Sequence, residues 1–389
     1  MLRFFVTDFA TGRVLETLPV ESGSWSDPLN AAESMSASFD TDDPDTRALD
    51  LWNLTTRGKH ALGVAEGEVV LAYGPIWSAK YSRDSGTFDI DALGVASYFD
   101  HRNIIPVVAK TIGVDKFVIP DPTDASKTVA NPAVGTYLKN LSYGTIAKRW
   151  LQQAMAWTGG AIPLVFQADE VGVFERNFEG ADFKGIWEAI NQLQNVEEGV
   201  ETNFKTRFIN NGLFVETLFE TGTLAQPLIT STSKHRWDVT GEESPVTKFE
   251  RVDDATNLGS VAWNTGGRSQ EKVLVARAVS DELVNAGYPL MELVDSAHTS
   301  VSEQSTLDTQ SVRSLQVGSR PRETWSFDVR TDVEPLVGTY TTGDFCELAF
   351  AAGADPIVPG GDYQHRIVGL SGDLGSDTIR VYCAPKMGT

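Results

Sequence analysis

The stretch from Asp182 to Phe219 leaves the chain the least conformational choice. Phe183, Ile186, Trp187, Ile190 and Leu193 recur at spacings of three and four, which places them on one face of an amphipathic helix. Asp182 stands where an N-cap oxygen accepts the first free amides, and Gly199 follows the last periodic residue. Val200, Thr202, Phe204, Thr206 and Phe208 then occupy every second position, the period of a half-buried strand. Asn210-Asn211-Gly212 tolerates the positive φ of a tight hairpin, after which Leu213, Val215, Thr217 and Phe219 resume the alternation. Helix, strand, turn, strand predicts a small α+β module in mid-chain, without a catalytic pattern of its own.

The sequence on either side reads as β-rich. Leu2–Phe9 and Arg13–Leu18 flank Ala10-Thr11-Gly12 as a hairpin, and Ile76–Tyr81 and Thr87–Leu93 flank Asp84-Ser85-Gly86 as a second. Pro44–Asn53 predicts a brief helix with Asp45 near its start and Leu49 and Trp52 turned inward. Tyr98, Phe99 and Arg102 close what reads as a small antiparallel barrel or sandwich. From Pro106 to Asn140 the composition suits an exposed excursion, with Pro120, Pro122 and Pro132 among Asp, Ser and Thr. Thr145–Trp157 returns to helix, with Ala147, Trp150, Leu151 and Ala154 on one face and Gly159-Gly160 as the stop, and Ile162–Phe166 is a strand.

Leu224–Gly241 is polar and turn-rich. Beyond it, strands are predicted at Val246–Val252 and Leu258–Asn264, joined through Asp253-Asp254, and at Glu271–Ser280. Ser305–Val317 carries Leu307 and Leu315 as a helix, and the final strands are Glu323–Arg330, Cys346–Phe350, Gln364–Leu370 and Thr378–Ala384. There is no fixed-period repeat and no heptad.

A formal net charge of −21 repels nucleic-acid phosphates on average, which excludes ordinary DNA or RNA binding but not a wall past which DNA slides. Two cysteines far apart, Cys346 and Cys383, read as small buried apolar groups, with a single disulfide as the alternative. The N-terminus reads as a first strand rather than a signal peptide, and no run approaches the roughly 20 apolar residues that span a bilayer.

The usual catalytic patterns do not occur. His60, His101, His235, His298 and His365 stand apart, without HExxH or H-x-H. G-x-S-x-G, P-loop and G-x-G-x-x-G patterns are missing too, and Thr265-Gly266-Gly267 reads as a turn. The acidic run Asp40–Asp45 fails as a calcium loop, because Asp45 stands where a Gly is needed and Leu51 where a Glu is needed. Asp169-Glu170 and Glu197-Glu198 are pairs a glycosidase could use, but an acidic chain produces such pairs by chance. Nine tryptophans raise a sugar-stacking reading, which Trp150 and Trp187 weaken by falling on apolar helix faces. No catalytic, cofactor-binding or metal-binding residue is assigned, and no cofactor is expected.

Three stretches together carry a resemblance. Gly74-Pro75-Ile76-Trp77 leads through the second hairpin to Gly94-Val95-Ala96-Ser97-Tyr98-Phe99-Asp100-His101-Arg102. The Phe183–Phe219 module follows. Last come Gly287-Tyr288-Pro289-Leu290-Met291-Glu292, Glu323-Thr324, Gly338-Thr339-Tyr340, Gly343-Asp344 and Arg366-Ile367-Val368-Gly369. In this order they resemble the minor tail proteins of long-tailed, siphovirus-type phages of actinobacteria, the group that forms the tail-tip hub. Each motif is degenerate, and no invariant catalytic residue comes with the likeness.

The resemblance implies a structural, non-enzymatic protein sharing the baseplate hub fold of contractile-tailed phages. That fold is mainly β: two tube-like antiparallel barrels plus smaller inserted α+β domains, three subunits giving six barrels that continue a tail tube. It implies an N-terminal barrel over residues 1–105, an excursion and helix over 106–160, the α+β module over 161–240 and a second barrel within 241–389. The implied partners are two further copies in a homotrimer, a distal tail protein, the tail tube and tape-measure protein, and other minor tail or fibre proteins. Genomic DNA would pass through the lumen unbound, and the location would be the virion tail tip. Some relatives carry a C-terminal hydrolase or receptor-binding extension, for which the chain has no room after its last strands. A tail-associated cell-wall hydrolase and a carbohydrate-binding adhesin remain as alternatives.

Overall fold

The structure, a computed structural model, describes residues 2–196, 199–231, 233–269, 272–298 and 304–385. The chain divides into two compact units, Met1–Lys248 with Phe327–Thr389, and Phe249–Ser326.

The first unit begins with the predicted hairpin of β1 (Leu2–Asp8) and β2 (Val14–Leu18), which turns through Gly12 at φ +72°. Next come β3 (Ser22–Pro28) and β4 (Ser34–Asp40), which the sequence pattern does not announce. In place of the one short helix predicted there are two single turns, α1 (Pro44–Arg47) and α2 (Leu51–Leu54), capped by Asp43 and Asp50. Thr46 and Leu51 are the buried residues here. Trp52, predicted to face inward, is 52% exposed, because the break before Leu51 rotates it to the surface. β5 (His60–Glu66), β6 (Val69–Ser82) and β7 (Thr87–Leu93) follow, the last two forming the second predicted hairpin.

The region after Arg102 is mostly exposed and irregular, as its prolines require, with three-residue strands β8 (Val118–Pro120) and β9 (Thr128–Ala130). Its last residues form β10 (Thr136–Leu141), which pairs with β12 (Phe174–Phe178). Between them lie α3 (Tyr143–Met155), capped by Ser142, and β11 (Leu164–Phe166). Ala147, Trp150, Leu151 and Ala154 are all buried, as their spacing requires.

The mid-chain module is present with a shifted start. α4 runs Ile186–Gln194, with Gly185 at the N-cap position. Asp182 instead ends a 3-10 turn, where its carboxylate accepts the Glu179 amide at 2.8 Å. Phe183 adopts φ +45°, is 57% exposed, and stacks on Phe117 at 6.0 Å rather than joining the buried face. The left-handed Phe183 breaks the helix that apolar spacing alone would extend to it. β13 (Thr202–Ile209) and β14 (Phe214–Thr221) pair about Asn210-Asn211-Gly212, whose φ values are +51°, +55° and +81°. Thr206 and Thr217 share a buried hydroxyl hydrogen bond at 2.8 Å across this pair. Leu213, counted in the alternation, belongs to the turn and is 64% exposed.

The polar stretch 224–241, read as turns, contains β15 (His235–Asp238), pinned in parallel to a later strand. Asp253-Asp254, read as a connection, lies inside β16 (Val246–Asp254). The second unit holds a three-stranded sheet of β17 (Val261–Ser269), β18 (Lys272–Val279) and β19 (Glu292–His298), with the single turn α5 (Glu282–Asn285) between the last two. α6 (Gln304–Gly318) packs on this sheet; Ala262, Ala278 and Leu315 form the small core, with Leu293 packed against it. Thr265-Gly266-Gly267 is not a turn but an irregularity inside β17, where the register with β18 shifts between Thr265 and Arg268.

The chain ends with β20 (Arg322–Arg330), β21 (Phe345–Phe350), β22 (Gly361–Asp373) and β23 (Thr378–Pro385), matching the four predicted strands within a few residues. In the first unit the strand order β20-β23-β22-β3-β4-β7-β6-β5-β1-β2 makes one continuous sheet, with β21 on β22 and β15 on β21. Two long strands hold it together. β6 pairs β5 through Val69–Pro75 and β7 through Ile76–Ser82. β22 pairs β21 through Gly361–Arg366 and β3 through Gly369–Asp373. Strands that change partner midway turn corners between packed layers. The result is mainly β with large antiparallel sheets and few helices, the predicted fold class.

Candidate functional site

The side chains with chemical potential are mostly committed to the fold. His60 is buried, with Nδ1 2.6 Å from the Leu54 carbonyl. His101 packs against Trp77 with ring centroids 4.6 Å apart and planes tilted by 41°, and His365 has Nδ1 3.3 Å from the Tyr363 carbonyl. His235 is buried with Nε2 3.6 Å from Asp344 Oδ2, and Asp344 in turn accepts the Ser231 and Thr341 amides at 2.7 and 3.0 Å. Among the described residues no three His, Cys, Asp or Glu side chains gather as metal ligands do. The side chain of His298 and the pair Glu197-Glu198 lie outside the described residues.

Asp169-Glu170, the other candidate acid pair, borders a groove of about 410 Å³ at the N-terminus of α3. Its carboxylates are already engaged. Asp169 takes Lys148 and Arg149, and the Lys148 hydrogen bond is the main influence holding its carboxyl below the usual range. Lys148 also donates to the Gln167 carbonyl at 2.8 Å, while Glu170 accepts the Leu224 amide at 3.2 Å. A general acid needs a carboxyl raised by its surroundings; Asp169 is lowered. In the acidic run, Asp40 and Asp43 accept nearby amides and Asp42 pairs with Arg47.

The tryptophans answer the sugar-stacking question in the same way. Trp25, Trp150, Trp187, Trp237 and Trp325 are each less than a tenth exposed, and only Trp52 offers half its surface. Trp52 lies beside Tyr81 in an open groove of about 380 Å³, with the Arg57 guanidinium 4.1 Å over its ring. The two cysteines are buried thiols on β21 and β23, with sulfurs 3.6 Å apart and unbonded.

The most ordered polar feature is a face of the large sheet that local sequence reading misses. Trp25 on β3, Met35, Ala37 and Phe39 on β4, and Phe88, Ile90 and Ala92 on β7 point into the core. The opposite positions are mostly small and hydroxylic, with Lys80 of β6 across from Asp89 and Leu93 at the end of β7 among them. Ser24 meets Ser36 and Ser26 meets Ser34, each pair at 2.8 Å, while Ser38 and Ser78 donate to Asp89 and Asp91 at 2.5 and 2.6 Å. Register carries this face onto β22, where Ser371 stands opposite Ser26 and Asp373 opposite Ser24. The signal that could have found it is alternation itself: serine at every second position from Ser22 to Ser26 and from Ser34 to Ser38.

No protein-family model and no curated protein sequence matches the chain. Solved structures do. A 43 kDa tail protein of prophage MuSo2 from Shewanella oneidensis aligns at TM-score 0.58 and 11% identity, covering 98% of both chains. A tail protein from Neisseria meningitidis aligns at TM-score 0.53 and 12% identity, covering 99% of this chain and 96% of that one. A chain of a Francisella PdpA-VgrG complex aligns at TM-score 0.51 and 9% identity, over all of this chain and 60% of that one. The chain therefore has the hub-like fold of phage tail proteins, from its first strand to its last.

Proposed function

We propose that this protein is a structural component of a phage tail tip: a trimeric hub that continues the tail tube and forms part of the channel through which DNA leaves. The observation that carries the reading is the end-to-end alignment with two tail proteins, 98–99% of this chain against 96–98% of theirs. A shared insert or a single shared barrel would align over part of each chain only. Its neighbours would be a distal tail protein, the tail tube and tape-measure protein, and other minor tail or fibre proteins. The role is non-enzymatic, and the engagement of Asp169 and Glu170 in structural contacts supports that.

In this reading the serine–aspartate face of β3, β4, β6 and β7 lines the channel. Short hydroxyls tied to one another, with the carboxylates Asp89 and Asp91 outnumbering Lys80 across from Asp89, offer phosphates little purchase and bases no aromatic platform. A polyanion then passes without sticking, and the net charge of −21 works in the same direction.

Light scattering of the purified protein over a range of concentrations tests the assembly. The expected mass is three times 42.3 kDa. A monomer at every concentration, together with antibody labelling of intact particles away from the tail tip, would overturn the reading.

A further inference from the structure

Residues 106–130 of the first unit turn apolar side chains outward. β8 and β9 pair with each other and, among the described residues, with no other strand. Their register sets Val118 opposite Ala130 and Ile119 opposite Val129, so Val118 and Val129 fall on opposite faces of the ribbon. Both are exposed, at 45% and 36%, and neither face is closed by a packed layer. A two-stranded ribbon is marginal on its own in water. Local bonds hold this one: Asn131 donates its side-chain amide to the Lys116 carbonyl at 2.8 Å and its backbone amide to the Phe117 carbonyl at 2.9 Å. Ahead of the ribbon, Val108 and Val114 are also exposed, Val114 at 87%. Phe183 extends the apolar surface, stacked on Phe117 and held at a positive φ that a bulky side chain rarely adopts.

The charge of this segment departs from that of the chain around it. It holds three lysines and three aspartates, so the whole formal charge of −21 is carried by the remaining residues. Two of the aspartates are turned back on their own turns: Asp121 accepts from Thr123, and Asp124 from Ser126 and Lys127. Lys110 and Lys116 are exposed. Valine surface edged by outward ammonium groups is complementary to an acidic surface, and the body of this chain is one.

We propose that residues 106–130, with Phe183 beside them, form a docking arm that seats on the acidic surface of a second copy of this chain. Bodies that each carry the full negative charge repel one another, and a neutral apolar arm with outward lysines makes the contact that repulsion opposes. An arm on one copy and a receiving surface elsewhere on the next make a head-to-tail contact, which closes into a ring when the rotation allows. The inference rests on the trimeric reading above and supplies a contact that reading needs.

Light scattering of the full-length Val108→Asp/Val114→Asp variant tests the arm. Both side chains are exposed, so its unfolding midpoint should match the wild type. Its assembly from one copy to three should require a concentration at least tenfold higher. Lys110→Glu/Lys116→Glu should weaken assembly at low salt and much less at high salt, where charges are screened. A wild-type trimer whose valine variant assembles equally well would overturn the arm and leave the hub reading standing. A wild type that is monomeric at every concentration would overturn the arm together with the trimer. If the valine variant does not fold, hydrogen exchange of residues 107–130 in the wild type decides: protection should rise severalfold over the concentrations where the mass rises, and unchanged protection overturns the inference.

Discussion

Arg366 on β22 and Glu201 just ahead of β13 are 165 residues apart in sequence and meet as a forked ion pair. Nη2 donates to Oε2 at 2.5 Å and Nη1 to Oε1. The guanidinium also donates to the carbonyls of Gly343 at 2.8 Å and Ile229 at 2.7 Å, and Glu201 accepts the Ile229 amide at 2.8 Å. Both side chains are nearly buried, 12% and 10% exposed, so the pair fixes the mid-chain module to the C-terminal sheet through desolvated contacts. Arg366→Ala would leave a buried carboxylate with only the Ile229 amide and two carbonyls without the guanidinium, at a cost of about 3–5 kcal/mol. Arg366→Lys should fall between, because an ammonium cannot fork. Urea unfolding followed by tryptophan fluorescence measures both, and an Arg366→Ala midpoint equal to wild type would refute the assignment.

The burial of the tryptophans predicts a simple optical result. Trp52 alone is more than half exposed, so acrylamide should quench one accessible component strongly and the rest weakly. Trp52→Phe should remove the accessible component with little change in stability, since its ring gives up only part of its surface to the fold. Soluble oligosaccharides should leave the spectrum unchanged. A saturable sugar-dependent shift that disappears in Trp52→Phe would instead favour the adhesin.

What the sequence made legible depended on how local the signal was. α3 and the β13–β14 pair carry their own periodicity and turn chemistry within about twenty residues each, and both are where the pattern puts them. α4 begins later than its apolar spacing implies because Phe183 takes a left-handed backbone, which periodicity cannot register. β3 and β4 escape a local reading because serine has weak strand preference and their apolar partners, such as Phe88 beside Phe39, lie in another strand. The same non-locality hides the joint. Glu201 and Arg366 look like ordinary charged residues until the sheet order brings β22 against β3 and the module beside both.

Two glycines separate backbone freedom from close approach. Gly212, at φ +81° in the β13–β14 turn, has open space where a methyl group would stand, so Gly212→Ala costs only the left-handed conformation, about 1 kcal/mol. At Gly222 a Cβ would stand 1.8 Å from the Pro227 carbonyl oxygen, backbone that is itself tied to the Glu201 amide at 3.0 Å. Gly222→Ala must displace that segment and should cost about 1–3 kcal/mol. Thermal unfolding of the two variants should rank Gly222→Ala as the less stable; the reverse order would place the strain in the turn instead.

The paired thiols give a prediction about reactivity. Cys346 and Cys383 are 2% and 0% exposed, and burial pushes the Cys383 thiol well above its ordinary range, with Cys346 at 3.6 Å adding to the shift. The thiolate is the nucleophile, so the folded protein should be silent to an aromatic disulfide reagent at pH 8 and release two equivalents in urea. Stability is linked to pH with the matching sign. The folded state holds the Cys383 proton more tightly than the unfolded chain, so its contribution is intact below about pH 8.5 and declines above it. Cys383→Ser places a hydroxyl in a buried position beside Cys346 and across the strand pair from the buried Ile367, and should lower stability, while Cys383→Ala removes the pH dependence with a smaller loss. Rapid labelling of the native protein at pH 8, at a rate independent of unfolding, would mean that the sheet opens locally at β23 and that these thiols are not core.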